Sequence, residues 1–534
     1  MARATRSARG DPKPADVAAR DAPEVLLIGS EAQPFAKTGG LADVMGALPS
    51  ALARAGWKAT VAIPKYRGAG STDAGRLVET FPVTVGGFTR DVGFFDAELP
   101  DGARALLVDC PDLYDREQLY AVDNVDYSDN ARRFAMLVRA ALEFAGRRGK
   151  GPGVVHAHDW QAGLAPVYLR SMYASHPILA ETPTVFTIHN LAYQGLFAAD
   201  WLPRLDLGWE QLGIDRMEFW GKISFMKGGI NDADVITTVS PRYAREIQTP
   251  DLGFGFDGVI ARRRADLVGV LNGIDTREWD PATDRFLPHA YSADDLGGKA
   301  AAKGEVLRRF AVSTVDALET MSRPLIGMVS RMVDQKGFDL LAEVADELPQ
   351  LDASFVILGT GEARYQTMWT TLAAEHPDRI GARIGFDEEL AHLIEAGADI
   401  FLMPSQFEPC GLNQMYSMRY GTVPVVHAVG GLADTVVDYA PRRPKATGFV
   451  FEEYTPAALM DALSRALTLF ADQRKWRTLQ AAGMRQDFSW DRSAAEYVKI
   501  YERLLNGAGR RGPSEVPPEG GGPRTRQMTR SGRP

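Results

Sequence analysis

The sequence predicts a doubly wound α/β fold built twice, and three observations carry that reading. Short runs rich in Val, Ile and Phe alternate with longer segments of helical period. The runs are apolar almost throughout, which is the pattern of parallel strands covered on both faces by helices in βαβ order. A string near the start, GGLADV at Gly39 to Val44, returns as GGLADT at Gly430 to Thr435.

In chain order, the first set of strands is expected at 25–30, 59–63, 154–158, 184–189, 235–240 and 268–272, and the second at 325–330, 355–359, 400–404 and 423–427. Each Gly-Gly string follows a strand and loop and opens an amphipathic helix. In open α/β sheets the ligand crevice lies beyond the carboxyl ends of the strands, where helix N-termini turn N–H groups toward an anion. Two such loops, one per half, imply two halves facing across a cleft.

Length sharpens the division. A chain of 534 residues has room for three or four average domains, or for two large α/β units. Residues 1–21 and 506–534 are rich in Arg, Pro, Gly and Ser without apolar period, and read as disordered tails. The body divides into a first half at 22–280, a connection at 281–322 marked by Pro281, Pro288 and Gly297–Gly298, a second half at 323–490, and a helix at 491–505 that crosses back to the first half.

Composition narrows the class of function. Hydrophobic residues make up 45% and charged residues 24%, the balance of a globular protein, and no apolar run approaches the roughly 18 residues of a membrane span. The formal charge of −9 disfavours a nucleic-acid surface. The tails are basic, so the body is more acidic than the whole. Two cysteines, Cys110 and Cys410, give neither a disulfide framework nor a cysteine zinc site and point to a reducing cytoplasm.

Several motifs stand at predicted strand ends. Lys37 precedes Gly39–Gly40 and a helix start, where glycine admits close backbone approach and lysine supplies a mobile charge. This is neither the phosphate loop of nucleotide hydrolases nor the dinucleotide glycine fingerprint. HAHDW (His156 to Trp160) and HNLAYQG (His189 to Gly195) offer Asp159, Trp160, His189, Asn190 and Tyr193 to one edge of the cleft, a mixture of aromatic faces and hydrogen-bonding groups that suits a sugar. In SRMVDQKG, Arg331 and Lys336 can hold a diphosphate, the first as a fork and the second as a point charge. No DxD-type pair accompanies them, so cationic side chains stand in for a divalent metal, and neither metal nor cofactor is expected. Glu408 lies directly after a strand in a Pro-Gly loop, a placement that serves a polar ligand better than stability. His427, on an apolar strand, reads as a satisfied core histidine.

With KTGGLADV, HAHDW, HNLAYQG, VLNGID, SRMVDQKG, FEPCGL and the late GGLADTV in this order, the chain resembles the bacterial glycogen synthases and plant starch synthases from about residue 24 to about 505. The resemblance implies the GT-B architecture, two Rossmann-like domains, and retaining transfer of glucose from ADP-glucose to the nonreducing 4-hydroxyl of an α-1,4-glucan. It implies that Lys37, Gly39, Gly40, Asp43 and Asn272 bind the donor, and that Arg331 and Lys336 contact its diphosphate. It places His189 and Asn190 against the transferred glucose. Glu408 becomes the essential carboxylate, in a loop whose Cys410, Gly411 and Leu412 line the donor site with Gly430 and Gly431. Phe386 stands where the family usually has a Tyr ring against adenine. Asn413 replaces a common Thr, and Tyr416 stands where other glycosyltransferases carry a second Glu.

Retention leaves two routes, a covalent glucosyl intermediate or attack from the face the nucleotide leaves. Without an evident nucleophile across from Glu408, the second route is the expectation, with Arg331, Lys336 and the Gly430–Gly431 helix start stabilising the departing diphosphate. The tails carry a net +6, leaving −15 for the body, so donor binding is expected to rest on a local cationic cleft. A UDP-glucose-dependent transferase and a noncatalytic glucan-binding scaffold remain open as alternatives; a Rossmann oxidoreductase is weaker for want of its glycine fingerprint.

Overall fold

The structure is a computed structural model describing residues 22–68, 75–122, 125–313, 316–441 and 445–507; the expected tails lie outside these residues except for 506 and 507. Two large sheets organise the chain. The first contains β1 (Glu24–Ile28), β2 (Lys58–Pro64), β3 (Arg76–Val85), β4 (Phe88–Glu98), β5 (Arg104–Asp109), β6 (Val154–His158), β7 (Thr184–Ile188), β8 (Val235–Thr238) and β9 (Leu267–Gly269), in spatial order β9-β8-β7-β6-β1-β2-β5-β4-β3. The second contains β10 (Leu325–Val329), β11 (Ser354–Gly359), β12 (Ile380–Ile384), β13 (Ile400–Met403), β14 (Val423–His427) and β15 (Phe449–Phe451), in order β12-β11-β10-β13-β14-β15, all parallel.

Strand patterning explains why the sheets are covered on both faces. Along β1, Val25 and Leu27 enter one core layer, with the helices Gly40–Arg54 and Trp490–Leu505, while Leu26 and Ile28 enter the opposite layer, with the helix Asn130–Gly146. A period of two feeding apolar residues to both sides requires a helix on each side.

The first sheet is not wholly parallel, as the apolar runs implied. β3 and β4 form an antiparallel hairpin added to its edge through β5. Their alternating, largely exposed residues, with Pro82 inside β3, have the pattern of an edge strand and carry no continuous apolar run. The segment read as a connection holds the helix its pattern predicts at 299–310: helix Gly297–Phe310 packs against helix Glu388–Gly397, with Lys299 Nζ donating to Ala396 O at 2.7 Å and Lys303 Nζ pairing with Asp399 at 2.7 Å. That helix therefore belongs with the second half.

The last helix, Trp490–Leu505, lies on the first sheet, where Tyr501 is fully buried and its hydroxyl meets His156 Nδ1 at 2.7 Å. The other ring nitrogen of His156 meets Thr187 Oγ1 at 2.6 Å, and burial lowers this imidazole to about 3, so it is neutral. Tyr501→Phe leaves a buried ring nitrogen without its partner and should cost about 1–3 kcal/mol. A thermal or urea melt indistinguishable from the parent would show that this bond does not tie the last helix to the first sheet.

Candidate active site

The site is assembled at the carboxyl ends of both sheets. After β10, the turn carrying Arg331 runs into a short 3-10 turn, Asp334–Lys336, and Gly337 follows in the left-handed region at φ 80. A Cβ there would stand 2.1 Å from Pro404 O, so only glycine lets the chain turn beneath β13 and direct Lys336 inward. Lys336 Nζ meets Glu408 Oε2 at 2.5 Å, and Ser405 Oγ donates to the same oxygen at 3.1 Å. Glu408 is 6% exposed, and a carboxylate so deeply placed needs this counter-charge. His427, the expected core histidine, proves to brace the site: its Nδ1 lies 2.8 Å from Ser405 O. Arg331, Lys336, Glu408, Gly411, Leu412 and Asn413 line one cavity of about 210 Å³. Asn413 Nδ2 donates to Val329 O at 2.8 Å, which fixes the start of its helix against β10.

Gly430 and Gly431 act differently from expectation. A Cβ on Gly430 would lie 1.9 Å from Glu408 O, and one on Gly431 would lie 2.0 Å from Cys410 O. Gly431 N donates to Glu408 O and Pro409 O, both at 3.2 Å, while Gly430 N donates to Glu246 Oε2 at 3.0 Å from the first half. These N–H groups have protein acceptors in this structure, and the pair buttresses the Glu408 loop. The first Gly-Gly contrasts with it: nothing lies within 4 Å of a Cβ at Gly39, and Gly40 faces only Leu412 Cδ1 at 4.0 Å, across the cleft.

On the first wall, Lys37 Nζ pairs with Asp43 at 2.6 Å, and burial raises the Asp43 carboxyl against that pull. The loop is held by Glu31, which sequence reasoning passed over: its carboxylate accepts the Thr38 N–H at 2.5 Å and the Tyr120 hydroxyl at 2.9 Å. Only its nearness to KTGG could have drawn attention to it. Asn272 is buried with its side-chain oxygen unpartnered, and its backbone N–H bonds the sulfur of Cys410. Burial pushes the Cys410 thiol up to about 12, so it packs in the seam between the halves and does not offer a charged contact to a donor. Phe386 is 87% exposed, a free ring face.

Asp159 sits at φ 57 and accepts the His189 N–H at 2.7 Å. His189 Nε2 lies 2.9 Å from His158 Nδ1, and burial lowers His189 to about 3, so it can offer a hydrogen bond but no charge. Asn190 and the half-exposed Tyr193 continue this loop. Trp160 departs from expectation: it is 9% exposed, and its ring packs against Phe134, Phe197 and Phe225. The indole is packed among these rings and presents no broad exposed face. Tyr416 stacks on Trp279 at 3.8 Å, and Trp279 stacks on His392 at 3.8 Å, an aromatic column from both halves that no motif announced.

With the fold and cavity placed, comparison with known proteins is direct. Residues 24–262 match the family model described as starch synthase catalytic domain, and 315–478 match glycosyl transferases group 1. The chain is 49% identical over 485 residues to a glycogen synthase of Anaeromyxobacter dehalogenans (strain 2CP-1 / ATCC BAA-258), covering 91% of this chain and 100% of the relative. It is 45% identical to a glycogen synthase of Koribacter versatilis (strain Ellin345), covering 90% and 98%. The chain belongs to the glycogen and starch synthase family. The family's two-domain GT-B architecture is seen in the catalytic domain of starch synthase IV from Arabidopsis thaliana, solved bound to ADP and acarbose, which superposes with a TM-score of 0.82 at 32% identity over 91% of this chain and all of that one. The chain is thus a glycosyltransferase. No helix among the described residues is long and apolar enough to cross a membrane.

Two outcomes test this geometry. Gly430→Ala should lower both the melting temperature and activity by displacing the Glu408 loop, whereas Gly39→Ala, in open space with an extended backbone, should melt like the parent. Equal melting of both variants would refute the buttress. Burial raises Asp159 to about 7, against the lowering pull of the His189 and Asn190 N–H groups. Between the unfolded value near 3.8 and about 7, the folded state holds the extra proton, so this group's contribution to stability falls as pH rises. Asp159→Asn keeps an acceptor without that loss, so its melting temperature should gain on the parent from pH 5 to pH 8; a constant difference would contradict the raised carboxyl.

Proposed function

We propose that this glycosyltransferase extends an α-1,4-glucan, transferring glucose from ADP-glucose to the nonreducing 4-hydroxyl with retention and without metal. The observation that carries the reading is the Lys336–Glu408 pair at 2.5 Å in a cavity also lined by Arg331. Cations for a diphosphate and a carboxylate for a sugar stand side by side, as glucosyl transfer from a nucleotide donor requires. Arg331 and Lys336 neutralise the departing diphosphate, Phe386 offers its ring to adenine, and Lys37, Asp43 and Asn272 close on the donor from the other wall.

Glu408 Oε2 accepts from Lys336 and Ser405, which leaves Oε1 for a glucose hydroxyl. A carboxylate so occupied suits orienting glucose and stabilising oxocarbenium-like charge better than forming a covalent bond. The acceptor hydroxyl then attacks from the face that ADP vacates, and its proton passes to the leaving phosphate. Neutral His189, with Asn190, positions the glucose. Contacts between the halves, Arg242 N to Asp434 at 2.7 Å and Gly430 N to Glu246, keep water from the donor. Cys110 and Cys410 are buried free thiols, which suits a cytoplasmic enzyme.

A donor panel with a glycogen primer tests the reading: ADP-glucose should give both ADP release and polymer growth, and exclusive use of UDP-glucose would reassign the donor. Glu408→Ala should lower turnover about 10²–10³-fold while ADP binds at least as well, because Lys336 is released. Lys336→Ala should weaken ADP roughly 10- to 100-fold in a calorimetric titration. Near-parental turnover in the first variant or unchanged ADP affinity in the second would overturn the respective role.

A further inference from the structure

A small antiparallel sheet beside the cleft presents a tryptophan in an unusual way. Strands Glu218–Phe219 and Lys222–Ser224 pair with Phe219 opposite Lys222, so Trp220 and Gly221 form a two-residue turn. Both lie at positive φ, 52 and 77. A turn of that kind favours Asn-Gly or Asp-Gly, and a bulky residue at positive φ is an outlier. The turn is nonetheless firmly held. Glu218 Oε1 accepts the Gly221 N–H at 2.9 Å, Lys227 Nζ donates to Ile214 O at 2.8 Å and to Glu218 O, and Phe219 stacks on Phe256 at 4.3 Å. The result is an indole 83% exposed on a rigid tip.

A chain of neighbours leads from the tip to the Glu408 loop. A Cβ at Gly255 would lie 3.9 Å from Trp220 Nε1, and the neighbouring Phe254, also at positive φ, meets Phe407 edge-on at 5.3 Å. Phe407 directly precedes Glu408. Gln194 Nε2 donates to Phe254 O at 2.9 Å, which joins the tip to the loop of Asn190 and to Tyr193, 54% exposed.

We propose that Trp220, with Tyr193 beside the same loop, forms a platform on which the incoming α-glucan chain stacks as it enters the cleft. The inference rests on the reading of the chain as a glucan-extending enzyme. A glucan chain shows apolar C–H faces edged by hydroxyls, and an exposed ring on a fixed tip meets such a face with little ordering. Continuity with Glu408 favours this ligand over a protein partner. Trp220 touches neither the reacting atoms nor the donor cavity, so it acts on acceptor affinity and processive growth.

Trp220→Asn separates the platform from folding, because Asn is at home in the turn. The variant should melt at or above the parental temperature and bind ADP unchanged. Its retention in a glycogen-containing native gel should weaken roughly five- to tenfold, with a matching rise in KM for glycogen and unchanged KM for the nucleotide sugar. Trp220→Phe should restore most of the retention. Parental retention by the Asn variant would overturn the platform. Failure of the parent itself to be retained or to extend glycogen would instead overturn the functional reading. Conversion of a dimer to a monomer in sedimentation, with glucan retention unchanged, would assign the tip to a second copy of the chain and overturn the glucan proposal.

Discussion

A buried carboxylate needs a counter-charge, hydrogen-bond donors or a proton, and the pairing of Glu408 with Lys336 is the constraint around which the second half is arranged. Lys336 reaches inward because Gly337 turns tightly under Pro404, and Glu408 stays in place because Ser405 binds it and His427 binds Ser405. The Gly430–Gly431 backbone then packs against the carbonyls of the Glu408 loop at a distance no side chain would permit. One ion pair thus draws together the ends of β10, β13 and β14, which neighbour one another in the sheet.

The same loop faces the first half, so the pair also fixes what the two halves must do to meet. Asn272 bonds the Cys410 sulfur, Glu246 takes the Gly430 N–H, and Phe254 meets Phe407. The last helix completes the junction: Ile274 N donates to Phe488 O at 2.8 Å, and the helix that follows lies on the first sheet. Catalytic geometry and domain contact therefore share residues, and neither can be altered without the other.

Much of this was legible along the chain. The ten expected apolar strands, the two halves and the motifs at strand ends follow from local pattern, since burial on both faces demands apolar residues wherever a strand is central. The edge hairpin β3–β4 and the edge strand β12 escaped because edge strands are half exposed and mix polar with apolar residues. β5 and β15, by contrast, are buried apolar runs that were missed because they are short, 105–108 and Phe449–Phe451. In the site, Arg331, Lys336 and Glu408, which line one cavity, stood out as charged residues in the loops that follow apolar runs. Trp160 suits sugar by type, and only the structure shows its ring packed behind β6. Glu31, Trp279 and Trp220 carried no signal, since their roles depend on what packs beside them.

The sequence by itself determined the fold class, the family and which residue types stand at strand ends, because periodicity and motif order are local properties of the chain. Only the tertiary structure decided which of two nearly identical Gly-Gly strings is open to a ligand and which is filled by another loop, and which aromatic ring is buried or presented. The physical reason is that a glycine's use and a ring's exposure are set by atoms far away in sequence: the carbonyls of Glu408 and Cys410 over Gly430–Gly431, and a tight hairpin under Trp220.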